Sequence, residues 1–412
     1  MAKNKVLSAI DVGTTKVTAL MAQVRDEDDS KIHVIGVATT PSKGIRKGQI
    51  VNIDEAVSAV TEAVEAAERM AGYNLARAWV AVGGSHISSQ NSHGVVAVSQ
   101  PHGEIKPDDV RRVLEAAQAV SLPGSAEIIH VIPRNFSVDN QEGVRDPVGM
   151  TGVRLEVDTH IVMGSTTTIK NLTKCVSEVG CDIAGLVFSG LASGEATLTD
   201  TEKELGVILI DIGGGTTDIA IYTDGALTYS SVLPIGAKNV TNDLAIGLRI
   251  SLESAEKIKI HLTHIKPQDD DLNLDSLHLS EEIKSVSYKT LVEGIIRPRL
   301  NELFQLVAGE IKKSTLAGLT PAGVVLCGGG AQTVGITESA KRILSMPVRV
   351  GIPTGISGLI DDIETPAFSA AVGLLRYAVS QESQVTPGPS FDRIPGRGLF
   401  GKISDVVKSL LP

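Results

Sequence analysis

Aromatic side chains are scarce in this chain of 412 residues. Phe, Trp and Tyr together make up 3%, and Trp79 is the one tryptophan. The core must therefore be aliphatic. Stacking platforms for single-stranded nucleic acid, which need exposed rings, are in short supply. Positive charge is short as well: 38 Lys and Arg against 48 Asp and Glu leave a formal net charge of −10. Without a basic stripe in the pattern, nucleic acid is not expected as a partner. Cysteine is down to Cys175, Cys181 and Cys327, with no CxxC spacing. That excludes a disulfide framework and a zinc ribbon, and suits a reducing cytoplasm. No apolar run approaches the ~18 residues of a membrane span. The N-terminal stretch 6–10 is apolar, but Asp11 and Gly13 end it far short of a signal segment.

What remains is ordinary globular material, 42% apolar and 21% charged. At roughly 100–200 residues per domain, the length predicts two to four domains. The periodicity alternates strand and helix, an α/β pattern. Residues 6–10, 17–24 and 32–38 read as strands, the first two flanking the turn Asp11-Val-Gly-Thr-Thr-Lys16. Asp54 is placed to cap a helix reaching 71, with Ala56, Val57, Val60, Ala63, Val64 and Ala67 on its buried face. A short strand, 78–82, ends in Gly83-Gly84.

Beyond Gly84 the character changes, and residues 85–165 read as an inserted domain: strands at 85–98, 128–138 and 153–162, and a helix from Pro107 to about 120. The alternation then resumes, with a helix at 169–179, strands at 183–188, 206–211 and 218–222, and a helix at 191–199. A second inserted region, about 237–303, reads as helical and polar. Strand 324–326 leads into Gly328-Gly-Gly330, and a helix is expected at 367–379. Residues 381–396 are polar and rich in Pro and Gly, a linker composition. In 397–412 the apolar residues Leu399, Phe400, Ile403, Val406, Val407, Leu410 and Leu411 recur at helical spacing. Such an amphipathic helix can lie among lipid headgroups or dock in a protein groove, and the tether favours a remote target.

One internal echo matters most. Residues 6–18 read V-L-S-A-I-D-V-G-T-T-K-V-T, and residues 207–219 read V-I-L-I-D-I-G-G-G-T-T-D-I. Each is a strand ending in Asp, a Gly/Thr turn and a second strand, which suggests two related lobes. Gly13, Gly213, Gly214 and Gly215 let backbone N–H groups approach phosphate oxygens. Thr14, Thr15, Thr216 and Thr217 add hydroxyls, and Lys16 adds a cation for the β and γ phosphates. Asp11 and Asp211 stand where a carboxylate can hold Mg²⁺ through waters. Either loop alone also fits a plain Gly-rich hairpin; the pair points to a triphosphate held between them. A third loop, Gly328-Gly-Gly-Ala331, joins a strand to an expected helix and can meet a phosphate or the nucleoside. The P-loop pattern G-x-x-x-x-G-K-[ST] is absent.

These loops, in this order, resemble the actin, Hsp70 and sugar-kinase superfamily. Asp11-Val-Gly-Thr-Thr-Lys-Val17, Leu191-Ala-Ser, Glu204-Leu-Gly-Val207, Asp211-Ile-Gly-Gly-Gly-Thr-Thr-Asp-Ile-Ala220 and Ala371-Val-Gly-Leu-Leu375 are similar to the FtsA family of bacterial cell-division proteins. The likeness covers nearly the whole chain; the insertion after residue 84 and the C-terminal tail single out this family. It implies an actin-like two-lobed ATPase fold of two ribonuclease-H-like domains with inserted subdomains and a C-terminal amphipathic helix. Residues 1–84, 166–203 and 364–380 would form subdomain 1A, and 85–165 subdomain 1C. Residues 204–235 and 304–363 would form 2A, 236–303 2B, 381–396 a linker and 397–412 a membrane-targeting helix. Glu256 and Lys259 would serve the adenine and ribose pocket, beside Gly236; taken alone, the two also fit a solvated helical ion pair.

The resemblance further implies a protein that binds ATP and Mg²⁺, forms filaments, and anchors the FtsZ ring at the septum. It would sit on the cytoplasmic face of the inner membrane, on anionic lipid, and recruit later division proteins through 1C. Arg299 and Glu302 are the expected contacts for the FtsZ C-terminal tail. Many relatives carry Glu or Gln, to position water, where this chain has Ser189. Hydrolysis is therefore expected to be slow at most, with Asp11, Asp211 and Glu195 as the candidate catalytic groups. A small-molecule kinase of the superfamily is the alternative, but it has no use for the amphipathic tail. His86, His93 and His102 lack metal-ligand spacing.

Overall fold

The computed structural model describes residues 5–24, 32–99, 103–120, 124–265, 271–281, 283, 285–359 and 363–383. Its first lobe is built on a six-stranded sheet in the order Asp182–Phe188, Arg77–Val82, Lys5–Val12, Lys16–Val24, Ile32–Pro41, Ile356–Gly358. The second lobe has a five-stranded sheet in the order Ala226–Leu233, Thr217–Thr223, Val207–Ile212, Val324–Cys327, Val348–Val350. Both follow one plan. Three antiparallel strands form a meander, and parallel neighbours extend it on the side of its first strand. All of Val207–Ile212 is buried, and apart from Asp211 it is the apolar run that a strand covered on both faces requires. Asp11 stands opposite Thr18 across its hairpin, and Asp211 stands opposite Asp218.

The helix Ile53–Ala71 buries Ala56, Ala59, Val60, Ala63, Val64 and Ala67, while Val57 is half-buried. Its cap is Asn52 and not Asp54: the Asn52 side chain accepts from the Glu55 N–H. Asp54 falls inside the first turn, where its charge faces the positive end of the helix dipole.

The inserted domain is a four-stranded sheet, in the order Ser88–Ala97, Arg154–Ser165, Ala126–Val138, Gln141–Val144. The helix Pro107–Gln118 covers it through Val113 and Ala117, over a core with Phe136, Leu155 and Val157. The second inserted region is less polar than expected. Helices Lys238–Leu248 and Leu252–Thr263 turn Leu244, Ile258 and Leu262 inward, into a core shared with the second sheet. Polar residues interleave with the apolar ones, and the exposed Ile246, Leu252 and Ile260 lie off the stripe and blur it.

Helix Arg297–Ser314 runs unbroken through residue 303, the expected end of that region, because Leu300, Leu303 and Phe304 form one buried stripe. The strand Ile356–Gly358, expected in the second lobe, pairs in parallel with Ile32–Val34 of the first. The last helix, Ser369–Ser383, follows a turn at Pro366–Phe368 and extends past 380. It lies against helix Ser189–Thr197, and Ala192, Ala196, Val372 and Leu375 join core residues of both sheets. The rest of the expected linker and the amphipathic segment with Leu399, Phe400, Ile403, Val406, Val407, Leu410 and Leu411 lie outside the described residues.

Candidate functional site

The two hairpin turns face each other across a cavity of about 660 Å³ between the lobes. In the first turn the Gly13 N–H donates to the Lys16 carbonyl at 3.0 Å; in the second, the Gly213 N–H donates to the Thr216 carbonyl at 2.9 Å. The turns touch. A β-carbon on Gly214 would lie 2.3 Å from Thr15 Cγ2, and one on Gly215 would lie 2.7 Å from Thr14 Cγ2. Glycine there allows the close approach of the two lobes. Thr14 Oγ1 accepts from the Gly48 N–H at 3.0 Å, and the Lys16 ammonium stands 3.9 Å from the centre of the Phe368 ring. The third loop starts at Gly328, with φ of 78°, where a β-carbon would meet Asp211 Oδ1 at 2.2 Å. A short turn, Gly329–Gln332, follows it, and the helix begins only at Ile336.

Electrostatics set this cavity apart. Burial pushes the Asp11 carboxyl up and the Lys16 ammonium down, and each partly offsets the shift of the other. Burial also pushes Asp211 up to about 6; Ser193, whose hydroxyl donates to Asp211 Oδ2, and Lys16 oppose this, while Asp11 adds to it. Asp218 is displaced well upward, by burial and then by Asp211 and Asp11, and among the described residues its Oδ1 has no hydrogen-bond partner. Two carboxyls, Asp11 and Asp211, beside one ammonium, with Asp218 next to them, suit a hard divalent cation that arrives with an anionic ligand. Among the described residues no group of three or more His, Cys, Asp or Glu could hold a metal by itself. This fits Mg²⁺, which keeps several waters and uses one or two carboxylates together with phosphate oxygens.

Of the residues expected here, Asp11, Gly13, Thr14, Thr15, Lys16, Asp211, Gly213, Gly214, Thr216, Glu256, Lys259, Gly328, Gly329 and Gly330 line the cavity. Lys259 Nζ donates to Glu256 Oε2 at 2.7 Å and to Thr241 Oγ1 at 3.0 Å, so this helical pair faces the cavity. Four residues lie behind the wall. Thr217 is turned away by strand alternation, and its hydroxyl donates to the Ile235 carbonyl at 2.9 Å. Gly215 packs under Thr14, Gly236 packs on the backbone of Gly213 and Gly214, and Ala331 belongs to the second-lobe core.

Glu195 is not in the wall either: Lys203 holds it at 2.7 Å. Ser189 is in the wall. Gly83, Asp218, Lys238, His264 and Gln332 line the cavity without having been singled out from sequence. Asp218 was within reach, because the hairpin register sets it opposite Asp211. Arg299 lies elsewhere, donating to Asp243 through Nε at 2.5 Å and Nη2 at 2.9 Å, and pairing with Glu302.

A family model described as "SHS2 domain inserted in FTSA" matches residues 84–163, and one described as "Cell division protein FtsA" matches residues 208–373. The cell division protein FtsA of Pseudomonas aeruginosa is 41% identical over 383 residues, covering 92% of this chain and 90% of that protein. The chain belongs to the FtsA family. FtsA of Bacillus subtilis is 39% identical, covering 92% of this chain and 84% of its own length, and FtsA of Escherichia coli K12 is 37% identical, covering 90% of each.

Solved structures show the actin-like fold at lower identity. The PilM–PilN type IV pilus biogenesis complex matches with a TM-score of 0.64 at 14% identity, over 90% of this chain and 98% of that one. MreB5 of Spiroplasma citri bound to AMPPNP matches with a TM-score of 0.55 at 13% identity, over 92% and 98%. Among the described residues, no helix is long and apolar enough to cross a membrane.

Proposed function

We propose that this FtsA-family chain binds Mg·ATP in the interlobe cavity, forms filaments, and ties the FtsZ ring to the cytoplasmic face of the inner membrane at the septum. The observation that carries the reading is the meeting of two echoing turns, each with an Asp at its strand end, around Lys16 in one cavity. Gly13 and Gly213, whose N–H groups close the two turns, would shape them, while the amides and hydroxyls of Thr14, Thr15 and Thr216 and the Gly214 amide would hold phosphate oxygens, with Lys16 between the β and γ positions. Asp11 and Asp211 would hold Mg²⁺ through water, and its charge would offset that of the phosphates. Glu256 and Lys259 would meet the ribose and base, and Gly328, Gly329 and Gly330 the far side of the nucleotide. AMPPNP in MreB5 supports a nucleotide site in this fold. Ser189 cannot deprotonate water as a carboxylate does, so the site suits slow turnover.

Residues 397–412 would supply a reversible lipid anchor, made firm by many copies on one filament. Arg299 and Glu302 would receive the FtsZ tail, and the domain at 85–165 later division proteins. The test is a reconstitution with anionic liposomes, FtsZ and ATP. The whole chain should carry FtsZ into the liposome pellet, and a chain truncated at Ser390 should not. Equal pelleting of FtsZ by both would refute the tether. Asp11→Ala and Asp211→Ala should each weaken Mg·ATP binding; unchanged affinity in both would remove the cavity from the account.

A further inference from the structure

The inserted domain reaches both lobes, and on the first lobe it does so beside the cavity wall. Strand Arg77–Val82 runs into Gly83, which lines the cavity, before the chain enters the insertion. The adjacent strand, Asp182–Phe188, runs into Ser189, also in the wall. His130, on the inserted strand Ala126–Val138, accepts through Nε2 from the Phe188 N–H at 3.0 Å. Its buried ring meets Tyr377 edge-on at 5.9 Å, on the helix whose Ala370 lines the cavity.

On the other side, His160 Nδ1 lies 2.7 Å from Asn91 Oδ1 and Nε2 lies 2.9 Å from Ser230 Oγ. Asn91 Oδ1 can only accept, so Nδ1 carries the proton and Ser230 donates to Nε2. Ser230 sits on Ala226–Leu233, the edge strand of the second sheet, and its carbonyl accepts from Ser89 Oγ at 2.7 Å. At the rim, Arg145 pairs with Glu204. Burial holds both histidines neutral, His130 at about 4 and His160 at about 3, which suits a ring nitrogen used as an acceptor.

Packed interfaces switch between discrete arrangements rather than deform continuously, so a lobe motion large enough to open the cavity breaks such buried hydrogen bonds. The lobes here are closed, with Thr14 and Thr15 against Gly215 and Gly214. Opening the cavity must separate Ser230 from His160 or pull the inserted domain off Phe188. We propose that the inserted domain is a strap across the two lobes, fastened by His130 to the first and by His160 to the second, which favours the closed cavity and couples its occupancy to the placement of the insertion. The coupling half rests on the nucleotide reading of the cavity. By linkage it acts in both directions: what closes the cavity steadies the insertion, and a partner that holds the insertion tightens nucleotide binding.

The three native cysteines are buried, so spin labels can be placed on cysteines introduced at the exposed Glu62 and Lys312, one on each lobe. In the full-length protein without nucleotide, the strap predicts a narrow distance distribution that broadens in Ser230→Ala. Ser230→Thr, which keeps the hydroxyl, should restore it. With ATP and Mg²⁺, Ser230→Ala should bind about 5-fold more weakly or worse, and the slowing of amide exchange in Ser88–Ala97 that the strap predicts for wild type should be absent from it. His130→Leu should act likewise, and His130→Gln, which keeps an acceptor for the Phe188 N–H, should rescue it. An unchanged distance distribution in Ser230→Ala overturns the strap. A changed distribution with unchanged affinity overturns the coupling. If wild type binds no nucleotide, the cavity assignment and the coupling fall together, while the distance measurement still decides the strap.

Discussion

Gly373 and Ala192 meet backbone to backbone: a β-carbon on Gly373 would stand 1.7 Å from the Ala192 carbonyl oxygen. This is where Ser369–Ser383 crosses Ser189–Thr197, in the core shared by both lobes. Gly373→Ala must push the two helices apart. It should destabilise the protein by about 1–3 kcal/mol or more, as overpacking of a closed core does. Thermal unfolding should show a lower midpoint and a smaller rise on adding Mg·ATP. A wild-type midpoint would show that the crossing yields freely.

Neighbouring threonines should behave differently. Thr216 lines the cavity, whereas Thr217 is fully buried and bonded to the Ile235 carbonyl. Thr216→Val should weaken Mg·ATP by about tenfold, one hydrogen bond to a charged group, with little change in stability. Thr217→Val should leave affinity alone and cost about 1–3 kcal/mol of stability through the unpaired carbonyl. Calorimetric binding and urea unfolding of both variants check this, and the reverse pattern would misplace the wall.

The buried carboxyls make stability fall as pH rises. Asp211 in the folded protein binds its proton more tightly than an ordinary Asp, at about 6 against 3.8. Between those values the native state holds more protons than the unfolded one, so stability declines with pH there and this contribution is flat above. Asp11 and Asp218 are displaced in the same direction. In the absence of nucleotide, Asp211→Asn should therefore be more stable than wild type near neutral pH, on the order of 2–3 kcal/mol. The advantage should shrink toward pH 4, and Mg·ATP should stabilise the variant little. Urea midpoints at both pH values test this; a variant no more stable than wild type at neutrality would contradict it.

Arg299 already has partners, which sharpens its test. Its fork holds Asp243 on Lys238–Leu248 and so ties that helix to Arg297–Ser314. Arg299→Glu should lose both FtsZ-tail affinity and some stability. Adding Asp243→Arg rebuilds the helix pair with its ends exchanged. If Arg299 itself contacts the tail, the double variant recovers stability but not tail affinity. Recovery of both would make Arg299 a purely structural residue.

The parts of this fold most legible in sequence were those that repeat. The two Asp-Gly-Thr hairpins stood out because a strand buried on both faces and a glycine turn each leave a local signature. What lay between neighbouring letters of a motif did not. Thr216 and Thr217 look alike in sequence, but alternation sends one into the cavity and the other into the core. Glu195 looked available as a catalytic carboxylate until Lys203, eight residues along, was found to hold it. Lys238, His264 and Gln332 reach the cavity from separate segments with no shared motif, so only the packing of the second lobe brings them together. The interior of the second insertion was hidden because polar residues interleave with its narrow buried stripe and Ile246, Leu252 and Ile260 stand exposed outside it.

The strand Ile356–Gly358 carries a consequence for biosynthesis. It completes the edge of a sheet whose neighbour, Ile32–Pro41, left the ribosome more than 300 residues earlier. The helix Ser369–Ser383 then covers the strands Lys5–Val12, Lys16–Val24 and Arg77–Val82. The second lobe, with its strands between 207 and 350, can be assembled before the first has its last strand and helix. During translation the N-terminal sheet must therefore wait with an open edge and an uncovered apolar face, the state most prone to aggregation and to chaperone capture. Nascent chains stalled before residue 350 should need chaperones that chains released past 383 do not.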